Sequence, residues 1–311
     1  MNFVKTKQLA CPICKSKNIT FHHKRSDDRY GYTGQHHIAM CKKCTALFLA
    51  DPVSSMHLGK LYELYYPSLE KQQTSLLHTL AHKVPILLSL FRKITGSTTL
   101  LELVPKGSKV LDVGCGYYPE LVQEIAHRNL KWSGLEVNSD IVTELNKAGL
   151  TCYLGTPQAC KITDKFEYIL LSQVIEHQLD VVDNINALKK YLKQDGKIIL
   201  LTPSSDSRFL SRYGKKWLHW HTPYHTVIFN KKSIYKLSQI CGLTVEKYST
   251  YTPAMWHVLQ HRFKLQFGRR NSSLAAPISM LDLLIPSLYL KVTDSLNYQR
   301  NDCMFCVLKK I

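Results

Sequence analysis

A chain of 311 residues, 45% of them apolar, can hold one large domain and a small satellite around an ordinary core, and none of its uncharged apolar stretches approaches the length of a membrane span. The N-terminal MNFVKTKQLACPIC lacks the apolar run of a secretory signal, which predicts a cytoplasmic protein, with the inner face of the membrane as an alternative address, and makes its cysteines metal ligands or buried small groups rather than disulfides. The formal charge of +18 sits in two segments: residues 1–60 hold ten Lys and Arg against three acids, residues 207–270 hold twelve against Glu246 alone, and the remainder has nineteen of each sign. A partner of negative charge is expected to meet them if they face the same side.

Residues 1–52 are predicted to form a zinc ribbon. Cys11-Pro-Ile-Cys14 and Cys41-Lys-Lys-Cys44 are two Cys-x-x-Cys knuckles separated by 26 residues. Each short loop presents two thiolates, and two loops make the tetrahedral four-cysteine site of Zn2+. With four protein ligands no position is left for substrate, so the predicted role is structural, the metal replacing a core that so short a segment cannot bury. His22, His23, His36 and His37 between the knuckles are read as surface residues.

Residues 53–106 read as a helical connector or lid. Helical apolar spacing runs over 61–100, with Pro85 expected to kink or divide the helix. From 107 to 311 the texture is short apolar runs, KVLDVG, KWSGLEV, CYLG, FEYILLS and KIILLTP, alternating with helical stretches. That alternation predicts an α/β domain with a mostly parallel sheet covered on both faces.

The first of these strands ends in Leu111-Asp112-Val113-Gly114-Cys115-Gly116, with Pro119 suited to the first turn of the helix that follows. Small residues at a strand-to-helix turn let a ligand approach the backbone. Glu136 closes the next strand twenty residues after Gly116, where a carboxylate can accept both hydrogens of a ribose diol. Together they point to an adenosine-containing ligand.

These residues, with SQVIEHQLDVVDNINALKKYLKQDGKIILLTP, resemble the class I S-adenosylmethionine-dependent methyltransferases from about Lys109 to Pro203. The resemblance implies a Rossmann-like domain with a seven-stranded, mostly parallel sheet and S-adenosylmethionine as cofactor. It places Asp112, Gly114, Cys115 and Gly116 under the methionine end and Glu136 with Val137 at the ribose. Thr156 and Gln158, within Gly155 to Ala159, would wall the adenine, and Ser172 and Gln173 would border the transferable methyl. Tyr118 stands where the family usually has a third glycine. The N-terminal knuckles, Pro223 to Phe229 and the ending from Asp302 to Lys309 resemble bacterial methyltransferases of sugars, glycans and natural-product scaffolds. That likeness implies a final strand inserted antiparallel beside its neighbours, with Cys303 and Cys306 as strand residues.

Two insertions, 207–229 and 253–298, are expected on the substrate side. The first contains RFLSRYGKKWLHWHTPYH, whose rings suit stacking on a sugar or base and whose cations suit phosphate. The second contains LAAPISMLDLLIPSLYLKV, a helical insertion broken by Pro277, Pro286 and Asp282, which packs on the lid or touches a membrane face. A hydroxyl nucleophile needs a base, and His225 and His177 are the candidates, since neutral imidazole accepts a proton near pH 7.

The expected function is methyl transfer to a hydroxyl, or a carbon, of a sugar, glycan, lipid-linked or natural-product acceptor carrying negative charge. An RNA methyltransferase is the second reading, since a ribbon and basic surfaces suit nucleic acid, although Ser172-Gln-Val-Ile175 is not the motif used on exocyclic amines. A cofactor-binding module without catalysis is the third. Oligomeric state is left open by the sequence.

Overall fold

The computed structural model describes residues 3–65, 85–118, 120–266, 278–297 and 299–311. In chain order its strands are β1 (Ile19–Ser26), β2 (Gln35–Cys41), β3 (Leu47–Leu49), β4 (Lys109–Val113), β5 (Lys131–Glu136), β6 (Thr151–Leu154), β7 (Phe166–Ser172), β8 (Leu192–Pro203), β9 (Val227–Ile228), β10 (Leu243–Tyr251) and β11 (Cys303–Lys310). The chain divides into two compact units that do not follow sequence order. One comprises Met1–Ser97, Pro203–Ser233 and Thr250–Cys303; the other comprises Thr98–Thr202, Ile234–Ser249 and Met304–Ile311.

The second of these units is built on a seven-stranded sheet in the order β10-β11-β8-β7-β4-β5-β6. The pairs β4–β5, β4–β7, β5–β6 and β7–β8 are parallel. Val110, Leu111 and Val113 on β4, Ile169 to Leu171 on β7 and Ile198 to Leu200 on β8 are all buried. Such continuous apolar runs belong to strands covered on both faces, where alternation would place a polar side chain in the core. The helix Ser139–Lys147 starts where the Asn138 side chain accepts from the amides of Asp140 and Ile141, and Val181–Tyr191 makes the crossover between β7 and β8. From β4 the chain moves outward through β5 to β6, then returns to the opposite side of β4 as β7. The order thus reverses at β4 and β7, and crevices that bind ligands in such sheets open there, beyond the carboxyl ends of the strands. The Rossmann-like fold expected from the sequence is therefore present, and β11 takes its place between β10 and β8, with Cys303 and Cys306 buried on it.

The other unit centres on a four-stranded sheet, β1-β2-β3-β9. β9 pairs antiparallel with β3, Leu47 opposite Ile228 and Phe48 opposite Val227, so the segment after residue 207 completes the sheet that the knuckles begin. The two share a core: Ile38 and Leu49 pack with Phe209, Trp217, Trp220, Leu283 and Leu290. The aromatics expected to line a substrate surface are thus largely interior. Trp217 is 0% exposed, and its indole donates to Asp302 Oδ1 at 2.8 Å, beside a Ser207 hydroxyl bond of 2.5 Å to the same oxygen. An indole is apolar apart from one N–H, so a single buried acceptor satisfies it in a core.

Helix boundaries differ from the sequence expectation in two places. Helical spacing over 61–100 appears as Ser55–Tyr65, Pro85–Thr95 and Leu100–Leu103, residues 66–84 lying outside the described set. Pro85 is the first described residue of its helix, and whether it divides a longer one lies outside the described residues. Pro277 lies outside the described residues, but Pro286 sits inside a continuous helix, Met280–Leu296, that begins with a reciprocal Ser279–Asp282 capping box. Among the described residues no helix is long and apolar enough to cross a membrane.

Candidate functional site

The carboxyl edge of β7, β4, β5 and β6 gathers every residue assigned to cofactor binding, all within one unit. After β4 the chain turns through Gly114 (φ 62°) and Gly116 (φ 58°), left-handed conformations that residues with a Cβ adopt at a cost. Gly114 is doubly required, since an added Cβ would lie 2.7 Å from Val174 Cγ2, whereas one at Gly116 would meet only open space. The turn therefore lies against the segment after β7 on one side and is open on the other.

Glu136, 9% exposed at the end of β5, holds this turn in place. Its Oε2 accepts from the Gly116 amide at 3.1 Å, and its Oε1 accepts from the amides of Val137 at 2.7 Å and Asn138 at 3.2 Å. A carboxylate fixed by three amides at the rim of an open turn keeps about one of its roughly four acceptor sites, on Oε2, for a hydroxyl of a bound sugar. Asp112, one turn deeper on β4, has its carboxyl pushed up to about 7 by burial, with the negative groups Glu124 and Glu136 adding to the effect and Trp132 opposing it. Cys115 turns its sulfur toward Cys152, 3.9 Å away, and that contact together with burial holds the thiol protonated. Tyr118, in place of the third glycine, points its hydroxyl at Glu124 Oε2 at 3.1 Å, which ties its ring to the following helix. That helix is Leu121–His127, and Pro119, expected in its first turn, lies outside the described residues.

Around the edge, Val137 is 68% exposed and Thr156, Gln158 and Ser172 are exposed as well. Gln173 adopts φ 56° and turns inward, its amide and side chain both donating to the Leu201 carbonyl. His177 ends a short turn, Ile175–His177, directly after β7. Beside it Glu176 is fully buried; the Thr202 hydroxyl donates to its Oε2 at 2.8 Å, and burial pushes its carboxyl up to about 8, so it keeps its proton at neutral pH. Val174, Asn138 and Thr202 escaped the sequence reading, although Val174 and Glu176 lie in the quoted SQVIEH run, where an acid next to an apolar strand end is the available signal.

The remaining assigned residues belong to the other unit. The sulfurs of Cys11, Cys14, Cys41 and Cys44 all lie within 4.8 Å of one another, with Cys11–Cys44 and Cys14–Cys41 at 3.5 Å. The two knuckles repeat each other in detail. The amides of Lys15 and Thr45 return to the carbonyls of Cys11 and Cys41, the amides of Cys11 and Cys41 reach the carbonyls of Ser16 and Ala46, and Lys15 (φ 55°) and Thr45 (φ 62°) are both left-handed. Four thiolates about 2.3 Å from one Zn2+ stand about 3.8 Å apart, so the cluster fits that ion. His225 is buried, and its Nδ1 lies 2.8 Å from the His219 carbonyl. A carbonyl only accepts, so Nδ1 carries the hydrogen and Nε2, 3.4 Å from His221 Nδ1, is left as the basic nitrogen. His219 packs its ring against Trp256 and Trp217, and burial lowers its pKa to about 3.

A family model described as a methyltransferase domain matches residues 88–248, more than half of the chain. Among solved structures the chain is similar to the cyclopropane synthase MmaA2 from Mycobacterium tuberculosis, at 16% identity over 78% of this chain and 87% of that one, TM-score 0.44. It is also similar to a SAM-dependent methyltransferase from Methanosarcina mazei, at 12% identity over 68% and 96% of the two chains, TM-score 0.44. A third is Haemonchus contortus phosphoethanolamine N-methyltransferase 2, at 17% identity over 67% of this chain and 49% of that one, TM-score 0.44. No curated protein matches the chain.

The raised carboxyl of Glu176 carries a linkage of definite sign. Between the ordinary value of 4.5 and about 8 the folded chain keeps a proton that the unfolded chain has released, so stability is full below that window and falls as pH rises through it. Glu176→Gln, neutral at every pH, is expected to flatten this slope, which for the parent amounts to roughly 4 kcal/mol lost by pH 8. Thermal unfolding of both proteins from pH 5 to 8 measures it, and parallel pH profiles would refute the assignment.

Proposed function

Because the chain belongs to the methyltransferase-domain family, we propose that it transfers the methyl group of S-adenosylmethionine to a hydroxyl, or a carbon, of an anionic sugar, glycan, lipid-linked or natural-product acceptor. The observation that carries the cofactor assignment is the Glu136 carboxylate, fixed by three backbone amides beside the open Gly116 turn. The cofactor, when bound, supplies an electrophilic methyl on a sulfonium. Glu136 and Val137 hold the ribose in this reading, Thr156 and Gln158 flank the adenine, and Ser172 and Gln173 border the methyl. Asp112 meets the methionine ammonium, a charge that returns its carboxyl to the ionised form. Methyl transfer depends on in-line placement of the nucleophile, so these contacts contribute to rate as well as affinity.

An anionic acceptor is supported by where the charge lies. The unit containing the knuckles holds 26 Lys and Arg against 9 Asp and Glu, the other 15 against 14. A hydroxyl acceptor gives up its proton as the new bond forms, and His177 or His225 takes it, the latter on the nitrogen its tautomer leaves basic. The same charge, on a unit that also carries the knuckles, favours RNA as the second reading. Incubation with methyl-labelled S-adenosylmethionine and cell extract separates them. Label is expected in a glycan, lipid or small-molecule fraction; label that ribonuclease removes would select RNA, and no label in any fraction would leave the non-catalytic module.

Cys11, Cys14, Cys41 and Cys44 hold a structural Zn2+ in this account. The purified protein is expected to contain one equivalent of zinc by atomic emission, and Cys41→Ser to lose it with a fall in melting temperature of at least roughly 5 °C. A metal-free parent with the same melting temperature as the variant would contradict the site.

A further inference from the structure

The helix Met280–Leu296 is apolar on two opposite sides. At about 100° per residue Leu283, Ser287, Leu290 and Asp294 share one side. Leu283 and Leu290 enter the core with Trp217 and Trp220, and Asp294 is held by Arg208 at 2.8 Å and by the Thr252 amide at 2.6 Å. On the other side Ile285, Leu288, Tyr289, Val292 and Leu296 fall within an arc of about 100°, and they are 77%, 67%, 46%, 63% and 79% exposed. Single exposed leucines are ordinary, but a contiguous stripe of five large apolar side chains marks a surface that meets something apolar. No charge interrupts the arc. Asp282 stands at one edge, under the influence of Arg262, and Lys291 is exposed at the other flank. The neighbouring helix Pro85–Thr95 adds an exposed Leu90 and Lys93 to the same unit.

The occupant follows from charge. This unit carries 26 Lys and Arg against 9 acids, so a second copy of the chain would bring like charge against like charge. An anionic lipid surface offers both complements at once, headgroup charge for the basic residues and acyl chains for the stripe, with Tyr289 suited to the boundary between them. We infer that this face docks on an anionic bilayer, with Met280–Leu296 lying in the plane of the interface and Ile285, Leu288, Val292 and Leu296 directed into it. The inference rests on this unit alone and stands whether or not the acceptor assignment holds.

Sedimentation of the full chain with large vesicles tests it. The protein is expected to pellet with vesicles of phosphatidylcholine mixed with phosphatidylglycerol and to stay in solution with phosphatidylcholine alone. Replacing Ile285→Ser, Leu288→Ser and Val292→Ser together is expected to weaken that binding roughly 100-fold with the far-UV spectrum and melting temperature kept. If the triple variant fails to fold, Leu288→Ser and Leu296→Ser singly are each expected to cost roughly fivefold. A parent that ignores anionic vesicles, or variants that bind them as well as the parent does, would overturn the inference. So would light scattering that finds a dimer abolished by these exchanges while vesicle binding is unchanged, since the stripe would then be a self-contact.

Discussion

The bonds from one carboxylate organise the candidate cofactor site. Glu136 reaches across from the end of β5 to the amide of Gly116 while gripping the amides of Val137 and Asn138 behind it. Without those partners the buried carboxylate would be left poorly solvated, at a cost of about 1–3 kcal/mol. With them, the turn after β4 and the start of the helix after β5 are set relative to each other. The parallel register of β4 and β5, Asp112 beside Gly134 and Val113 beside Leu135, makes that reach the right length. Gly114 contributes on the other side by letting the turn lie against Val174, which ties the same loop to the segment following β7.

The two units differ in chemical character. The Rossmann-like unit is close to neutral, with continuous apolar strands at its centre. The other owes its order to a mixture of devices: paired cysteine knuckles, buried aromatics satisfied by single acceptors such as Asp302, and the Arg208 guanidinium, which bonds Thr293, Asp294 and Asn301 at 2.8 to 2.9 Å. A short N-terminal sheet with few residues gains core from segments more than 150 residues away, and the Leu47–Ile228 pairing is where they join. Nearly all the net charge is on the unit with the knuckles, 26 Lys and Arg against 9 acids, whereas the Rossmann-like unit has 15 against 14.

Much of this was legible in the sequence, for identifiable reasons. β4, β7 and β8 announce themselves because strands buried on both faces must be continuously apolar, and the glycine turn and Glu136 stand out because few residue types can do their work at that spacing. The knuckles are legible because two close cysteine pairs have few other uses. What stayed hidden depends on distant contacts. β9 has two residues and no periodicity of its own, so its pairing with β3 cannot be seen locally. Trp217 and Trp220 read as stacking surfaces because a sequence does not distinguish a ring that lines a pocket from one that fills a core; Asp302, 85 positions from Trp217, decides it. Pro286 was read as a break, yet it lies within a helix whose capping box and packed inner face sustain it. Glu176 and Thr202 pair across 26 positions, and no local pattern marks that contact.

Calorimetric titration of S-adenosylmethionine into the parent protein and into Glu136→Gln tests the central claim most directly. The amide keeps the volume of the side chain but turns one acceptor into a donor facing backbone N–H groups. The account predicts that the parent binds one equivalent and that the variant, with an unchanged far-UV spectrum, binds at least roughly 100-fold more weakly. Equal affinity in the two proteins would mean that the cofactor does not sit on Glu136, and the placement of the whole site would fall with it.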